Sequence, residues 1–217
     1  MTVAPVDRFH DAPDEGRWRT LFESWRTHMQ GLSDYLERTE SPWAWGEQAN
    51  VGLLASAHDR TPGGWSMLEL PVRRDATGGD GAGRFDLWLG GAGWSVHAEA
   101  KRIWAKTPSA TARATMSLLD RADGQAAHLV GRDWTTSVAS IAFVVPNPTW
   151  TGRTSSAAVG EEFAVMEQVL WAHNGQKPGT FQTHFLLPLD QIRRDNTTGR
   201  VFPGVILCGR IHKAKAP

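Results

Sequence analysis

Apolar side chains recur along this chain with two different periods. Between residues 15 and 36, Trp18, Leu21, Phe22, Trp25, Met29, Leu32 and Leu36 fall three or four positions apart. That spacing lines one face of an α-helix, and Asp14 stands where an N-cap is wanted. Residues 1–13 hold two prolines and read as a loose tail. Ser41-Pro42 ends the first helix. A second helix is expected from Pro42 or Trp45 to His58, with Glu47, Val51, Leu54 and His58 on its inward face. The period then changes to two. Residues 65–72 alternate, as do 84–89, which put Phe85, Leu87 and Leu89 on one face. Residues 94–102 alternate again, with Trp94, Val96, Ala98 and Ala100 opposite Ser95, His97, Glu99 and Lys101. Gly90-Gly91-Ala92-Gly93 reads as the hairpin turn between the last two strands, and a glycine-rich connection precedes them over 75–83. A helix over 109–130 is followed by a nearly continuous apolar strand over 136–145, of the kind covered on both faces. A helix over 160–173, strands over 180–187 and 201–211, and a helical turn at 190–194 complete the pattern. It predicts an α/β fold: a central mixed sheet flanked by helices over 43–217, preceded by a tail and amphipathic helical arm over 1–42.

The alternating strands contain the chemistry. Asp86 lies mid-strand between large apolar residues, although aspartate is depleted in strands. Glu99 and Lys101 are two apart, hence on one face about 6.5–7 Å from each other along the strand. Carboxylates such as Asp86 and Glu99 offer the oxygen ligands a hard divalent cation requires. Lys101 beside them suits a charge that steadies a phosphate and an attacking water.

The order is a helix with Glu47, a strand, a strand with Asp86, a hairpin, a strand with Glu99-Ala100-Lys101, a helix and an apolar strand. Asp86 and Glu99 enclose twelve residues. This arrangement resembles the PD-(D/E)xK nuclease superfamily over residues 43–145, about half the chain. The resemblance implies a restriction-endonuclease-like αβββαβ core. It also implies Mg²⁺ or Mn²⁺ held by Asp86, Glu99 and the Ala100 carbonyl, with Lys101 assisting the water and Glu47 as an additional acid. Glu69 is a weaker candidate on the preceding strand. Phe85 stands where the family name has proline. The glutamine–tyrosine pair of the RecB-like branch is not matched, since Leu129 follows Gln125 at that spacing. The lone Cys208 excludes the branch with an iron–sulfur cluster.

Arg84, Arg102, Lys106 and Arg113 flank the motif and are candidates for phosphate contact, or solvated surface charges. His97 shares a face with Glu99. Trp88 and Trp104 lie nearby, for base stacking or core packing. The basic C-terminus, with Arg210, His212, Lys213 and Lys215, reads as a phosphate-binding tail or a solubility feature.

Composition changes this picture in three places. The 217 residues balance 23 Lys+Arg against 23 Asp+Glu, so no strongly basic nucleic-acid binder is visible in the whole chain. Residues 1–59 have a net charge of −5 and residues 60–217 one of +5. Eleven Trp beside a single Tyr call for large aromatic packing sites. Cys208, in an apolar run, reads as a small buried hydrophobe. No secretion signal or membrane-length apolar run is visible, and the expected setting is cytoplasmic and soluble. No P-loop, GxSxG or HExxH pattern occurs. The expected function is metal-dependent hydrolysis of phosphodiesters, of DNA, in restriction, genome defence or repair. One alternative is a catalytically inactive nuclease-like module that binds nucleic acid or a protein partner. Another is an interaction subunit that forms a homodimer, or meets a protein partner, through the N-terminal helix.

Overall fold

Among the residues described by the computed structural model (5–36, 40–73, 82–127, 137–148, 155–192 and 200–213), helices and strands are interspersed along the chain. The elements are β1 (Arg8–His10), α1 (Glu15–Tyr35), α2 (Glu47–His58), β2 (Trp65–Arg73), β3 (Ala82–Gly91) and β4 (Trp94–Trp104). They continue with α3 (Pro108–Ala127), β5 (Ser137–Val145), α4 (Ser156–Asn174), β6 (Thr180–Leu186) and β7 (Gly204–Lys213). One open mixed sheet runs β1-β6-β7-β5-β4-β3-β2. Only the β4–β5 pair is parallel among these neighbours, as a strand–helix–strand crossover through α3 requires. The stretch α2-β2-β3-β4-α3-β5 reproduces the expected helix, three strands, helix and strand. Leu129, Thr136, Lys215 and residues 74–81 lie outside the described residues.

Two apolar layers hold the sheet. On one side Trp18, Phe22 and Trp25 of α1 and Val51 and Leu54 of α2 pack with Leu87, Val96, Ala98 and Phe181. On the other, Ala112 and Leu119 of α3 and Phe163, Met166 and Leu170 of α4 pack with Ala142, Val144 and Ile206. Helices on both faces explain why β5 is buried at every position and reads as an unbroken apolar run.

The N-terminal segment departs from expectation. Residues 8–10 form an edge strand paired with β6. The stripe of α1 is spent on its own sheet: Trp18, Phe22, Trp25 and Met29 are fully buried. The Trp18 ring lies 5.1 Å from Phe181 and 5.9 Å from Trp94. Trp43 is likewise sealed against Phe185. The helix therefore packs as part of the domain layer, which buries Trp18, Leu21, Phe22, Trp25 and Met29 of its stripe. Asp14 does begin α1, but in a left-handed conformation and through its carbonyl, which accepts from Arg17 and Trp18. Its side chain makes no cap.

Two glycines shape the neighbourhood of the candidate site. Gly46 has φ 156° and ψ 179°, a region essentially open only to glycine. It separates the short 3₁₀ turn Pro42–Ala44 from α2, so that α2 begins at Glu47 and not at Trp45. Gly93, with φ 68°, closes the two-residue turn from Gly91 to Trp94.

Candidate functional site

β3 and β4 part company where the chemistry begins. Their ladder runs from Gly91↔Trp94 to Leu87↔Ala98 and goes no further, while β3 stays paired with β2. Asp86 is the first β3 residue beyond the split. Its Oδ2 accepts a hydrogen bond from the Ala100 backbone N–H at 2.7 Å, in place of a ladder bond. The β2–β3 ladder also skips one pair here, Glu69 opposite Asp86, and Glu69 has φ 55°. Asp86 borders a cleft beneath α2 with Glu47, Gln48 and Val51, the side on which Leu87 also packs. Phe85 instead packs at a tilt against the buried His97, 4.8 Å between ring centres. The strict alternation expected over 84–89 is thus broken at Asp86, as irregular strand pairings do when they re-aim a side chain.

Lys101 lies in the gap between the strands. Its Nζ is 3.2 Å from Glu99, 3.4 Å from Asp86 and 3.4 Å from Glu47. It also donates to the Ala100 carbonyl at 2.7 Å. The second oxygen of Glu47 accepts from the Arg102 backbone N–H at 3.0 Å. Three elements thus meet on one ammonium: the first turn of α2, the end of the β3–β4 ladder and the continuing β4. Burial works to lower the Lys101 pKa. The carboxylates of Glu99, Asp86 and Glu47 outweigh it and hold the ammonium above the ordinary lysine value.

Three carboxylates, those of Glu99, Asp86 and Glu47, lie within 3.4 Å of one ammonium in a half-buried gap. Among the described residues, no three His, Cys, Asp or Glu side chains are grouped closely enough to hold a metal ion by themselves. A cation here would draw on Asp86 and Glu99 together with the Ala100 carbonyl. All of these are hard oxygen donors suited to Mg²⁺ or Mn²⁺, and the ammonium stands among the same oxygens. The oxygen donor set fits such an ion.

The polar face expected on β4 is not open. Ser95, His97 and Glu99 are buried beneath other parts of the fold, whereas Asp86, Glu47 and Lys101 reach solvent through the gap. The flanking cations divide. Arg84 is exposed and pairs with Glu69 at 3.3 Å. Arg102 donates to the Ala44 carbonyl at 2.9 Å and lies 4.4 Å over Trp104. Lys106 and Arg113 are exposed further on, between β4 and α3 and on α3. Arg210 is fully buried and bonded to Asp120 and Asp123, which removes it from any phosphate-binding tail. Trp88 is buried, and Trp104 is partly exposed against Phe202. Cys208 is buried, and burial pushes its thiol up to about 12, too high for a nucleophile.

Asn50 has a role that the hydrophobic pattern does not reveal. It is fully buried in α2 and donates to the carbonyls of Trp43 and Gly46, both at 2.8 Å, fastening the turn that delivers Glu47. The only signal in the sequence is an asparagine inside a helix, where its propensity is poor.

Searched against models of known protein families and against curated proteins, the chain matches none.

Proposed function

We propose that this protein is a divalent-metal-dependent nuclease that hydrolyses phosphodiester bonds of DNA, with a restriction-endonuclease-like core over residues 43–145. The supporting observation is the convergence of Asp86, Glu99, Glu47 and the Ala100 carbonyl around Lys101, at a split in the sheet. Asp86, Glu99 and the Ala100 carbonyl would hold the ion. Such a metal stabilises charge on the phosphoryl oxygens and makes bound water more acidic. Lys101 donates hydrogen bonds to the attacking water and to a non-bridging phosphate oxygen. Glu47 holds Lys101 and the β4 backbone in place. Water attacks phosphorus in line with the leaving oxygen; the new P–O bond forms as the old one breaks, the attacking water gives up a proton to solvent and the leaving oxygen takes one from solvent, without a covalent enzyme intermediate. Restriction, genome defence or repair is the proposed setting.

One observation favours a second reading. With fewer than three acidic side chains grouped for a metal, Lys101 would simply neutralise the acids in a module that binds nucleic acid without cutting it. A single panel separates the two. Purified protein is incubated with Mg²⁺ or Mn²⁺ and with supercoiled, linear, nicked and single-stranded DNA, and with RNA. Cleavage that stops in EDTA, and falls at least about a hundredfold in Asp86→Ala and Lys101→Ala, is the expected result. Undiminished cleavage by both variants overturns the site. Binding without any cleavage favours the module.

A further inference from the structure

Beside the acids lies a cleft of about 380 Å³, bounded by α2 on one side and by β2 and β3 on the other. That volume falls in the range of small-ligand sites, roughly 300–1,000 Å³. Its walls have three kinds of surface. Val51 and Leu68 are apolar, and Leu68 is half exposed there. Gln48, an exposed amide on α2, offers both a donor and an acceptor. Glu47, Asp86 and Glu69 are carboxylates, with Arg84 as the cation on the wall, tied to Glu69.

We propose that this cleft receives one unpaired base of a nucleic-acid strand, so that the substrate is single-stranded or has an unpaired end. The inference rests on the nuclease reading for the neighbouring acids and goes beyond it by naming the substrate class. Charge selects the occupant. Carboxylates repel a phosphate, so the sugar–phosphate backbone stays outside, near Arg84 and Lys101. The same carboxylates accept hydrogen bonds from the exocyclic amines of a base, and its flat apolar faces suit Val51 and Leu68. A base within a duplex is stacked on its neighbours and has its edge paired, so it cannot enter a recess between a helix and an edge strand without being extruded. Continuity with the acids sets the position: Glu47 and Asp86 belong both to the cleft and to the cluster around Lys101. A base held there places a flanking phosphate beside Lys101 and the divalent ion that the acids would hold, whose charge offsets their repulsion.

The test measures binding apart from cleavage. Fluorescence anisotropy in Ca²⁺ compares a labelled blunt duplex, the same duplex with a 3′ or 5′ unpaired end, and the single strand. The unmodified protein is expected to bind the unpaired forms about tenfold or more tightly than the blunt duplex, as burying roughly 60 Å² of apolar base surface against Val51 and Leu68 would give. Leu68→Asp and Gln48→Ala are expected to shrink that gap below threefold without changing blunt-duplex affinity. Leu68→Met, which keeps the wall apolar, should preserve the gap, and melting temperatures confirm that each variant folds. Equal affinity for all forms, absence of binding, or a gap that survives Leu68→Asp overturns the proposal. The two readings fail separately. A preference without cleavage of any substrate keeps the cleft and removes the hydrolase, whereas cleavage without preference keeps the hydrolase and overturns the cleft.

Discussion

Lys101 meets three carboxylates, those of Glu99, Asp86 and Glu47. Removing the ammonium leaves those acids facing one another, so Lys101→Met is expected to destabilise the fold by about 1–2 kcal/mol, between the values for exposed and buried ion pairs. That corresponds to roughly 2–8 °C in Tm for a chain of this size. The variant should regain stability when Mg²⁺ is added, and thermal melting with and without Mg²⁺ measures both effects. A Tm that responds to Mg²⁺ no more than that of the unmodified protein would contradict repulsion among those acids. At this scale much of the site could be read from the chain. The period of two placed Glu99 and Lys101 together, and the helical spacing turned Glu47 inward with Val51 and Leu54. Asn50 could not be recognised, because its worth lies in two carbonyls of a turn that forms only when α2 begins at Glu47.

Among the elements, α2 depends on where it starts. Gly46→Ala adds a methyl group into open space, but the φ of 156° is strained for any residue with a Cβ. The expected cost is about 1–3 kcal/mol in chemical denaturation. A drop in cleavage larger than that destabilisation explains would report displacement of Glu47. α1 gives a purely structural contrast: Trp25→Ala should cost about 3–5 kcal/mol, read from urea unfolding, by opening a cavity in the sheet-facing core. α1 was legible because its apolar period is strong; α2, with a weak period, was legible from Val51 and Leu54, and its start was not. The role of α1 was not, since an apolar stripe looks the same whether it covers its own sheet or another chain. The alternation of β3 misled at Phe85. A periodic pattern assumes an unbroken ladder, whereas the β2–β3 ladder skips Glu69 and Asp86 and β4 leaves β3 at Leu87.

The whole molecule is also closed by a polar network on the α3 side of the sheet. Arg210 of β7 is fully buried and bonded to Asp120 and Asp123 of α3. Asp123 also accepts from Ser140 and His212, and Asp120 from Lys177. Burial acts to raise the Asp123 pKa, but the bonds from His212, Ser140 and Arg210 outweigh it and hold the carboxyl below its ordinary value. Bonds from Lys177 and Arg210 do the same for Asp120. A carboxyl depressed in the folded state binds its proton more readily when unfolded. Its stabilisation is therefore complete above the ordinary value of 3.8 and is lost as pH falls through the lower, folded value. Urea unfolding across pH should show Asp123→Asn less stable than the unmodified protein at neutral pH, with the difference narrowing below about pH 4. A difference that does not vary with pH would count against the network. Among the described residues no helix is long and apolar enough to cross a membrane. Zero net charge hid a division into an acidic first quarter and a basic remainder. Periodicity and residue spacing alone determined the α/β order, the helices and the pairing of Glu99 with Lys101, because these follow from local backbone geometry. Only the tertiary structure decided that β3 and β4 separate at Asp86, that α1 belongs to the sheet, and that Arg210 is buried. Each of those depends on which distant surface packs against the element, and a local pattern does not encode it.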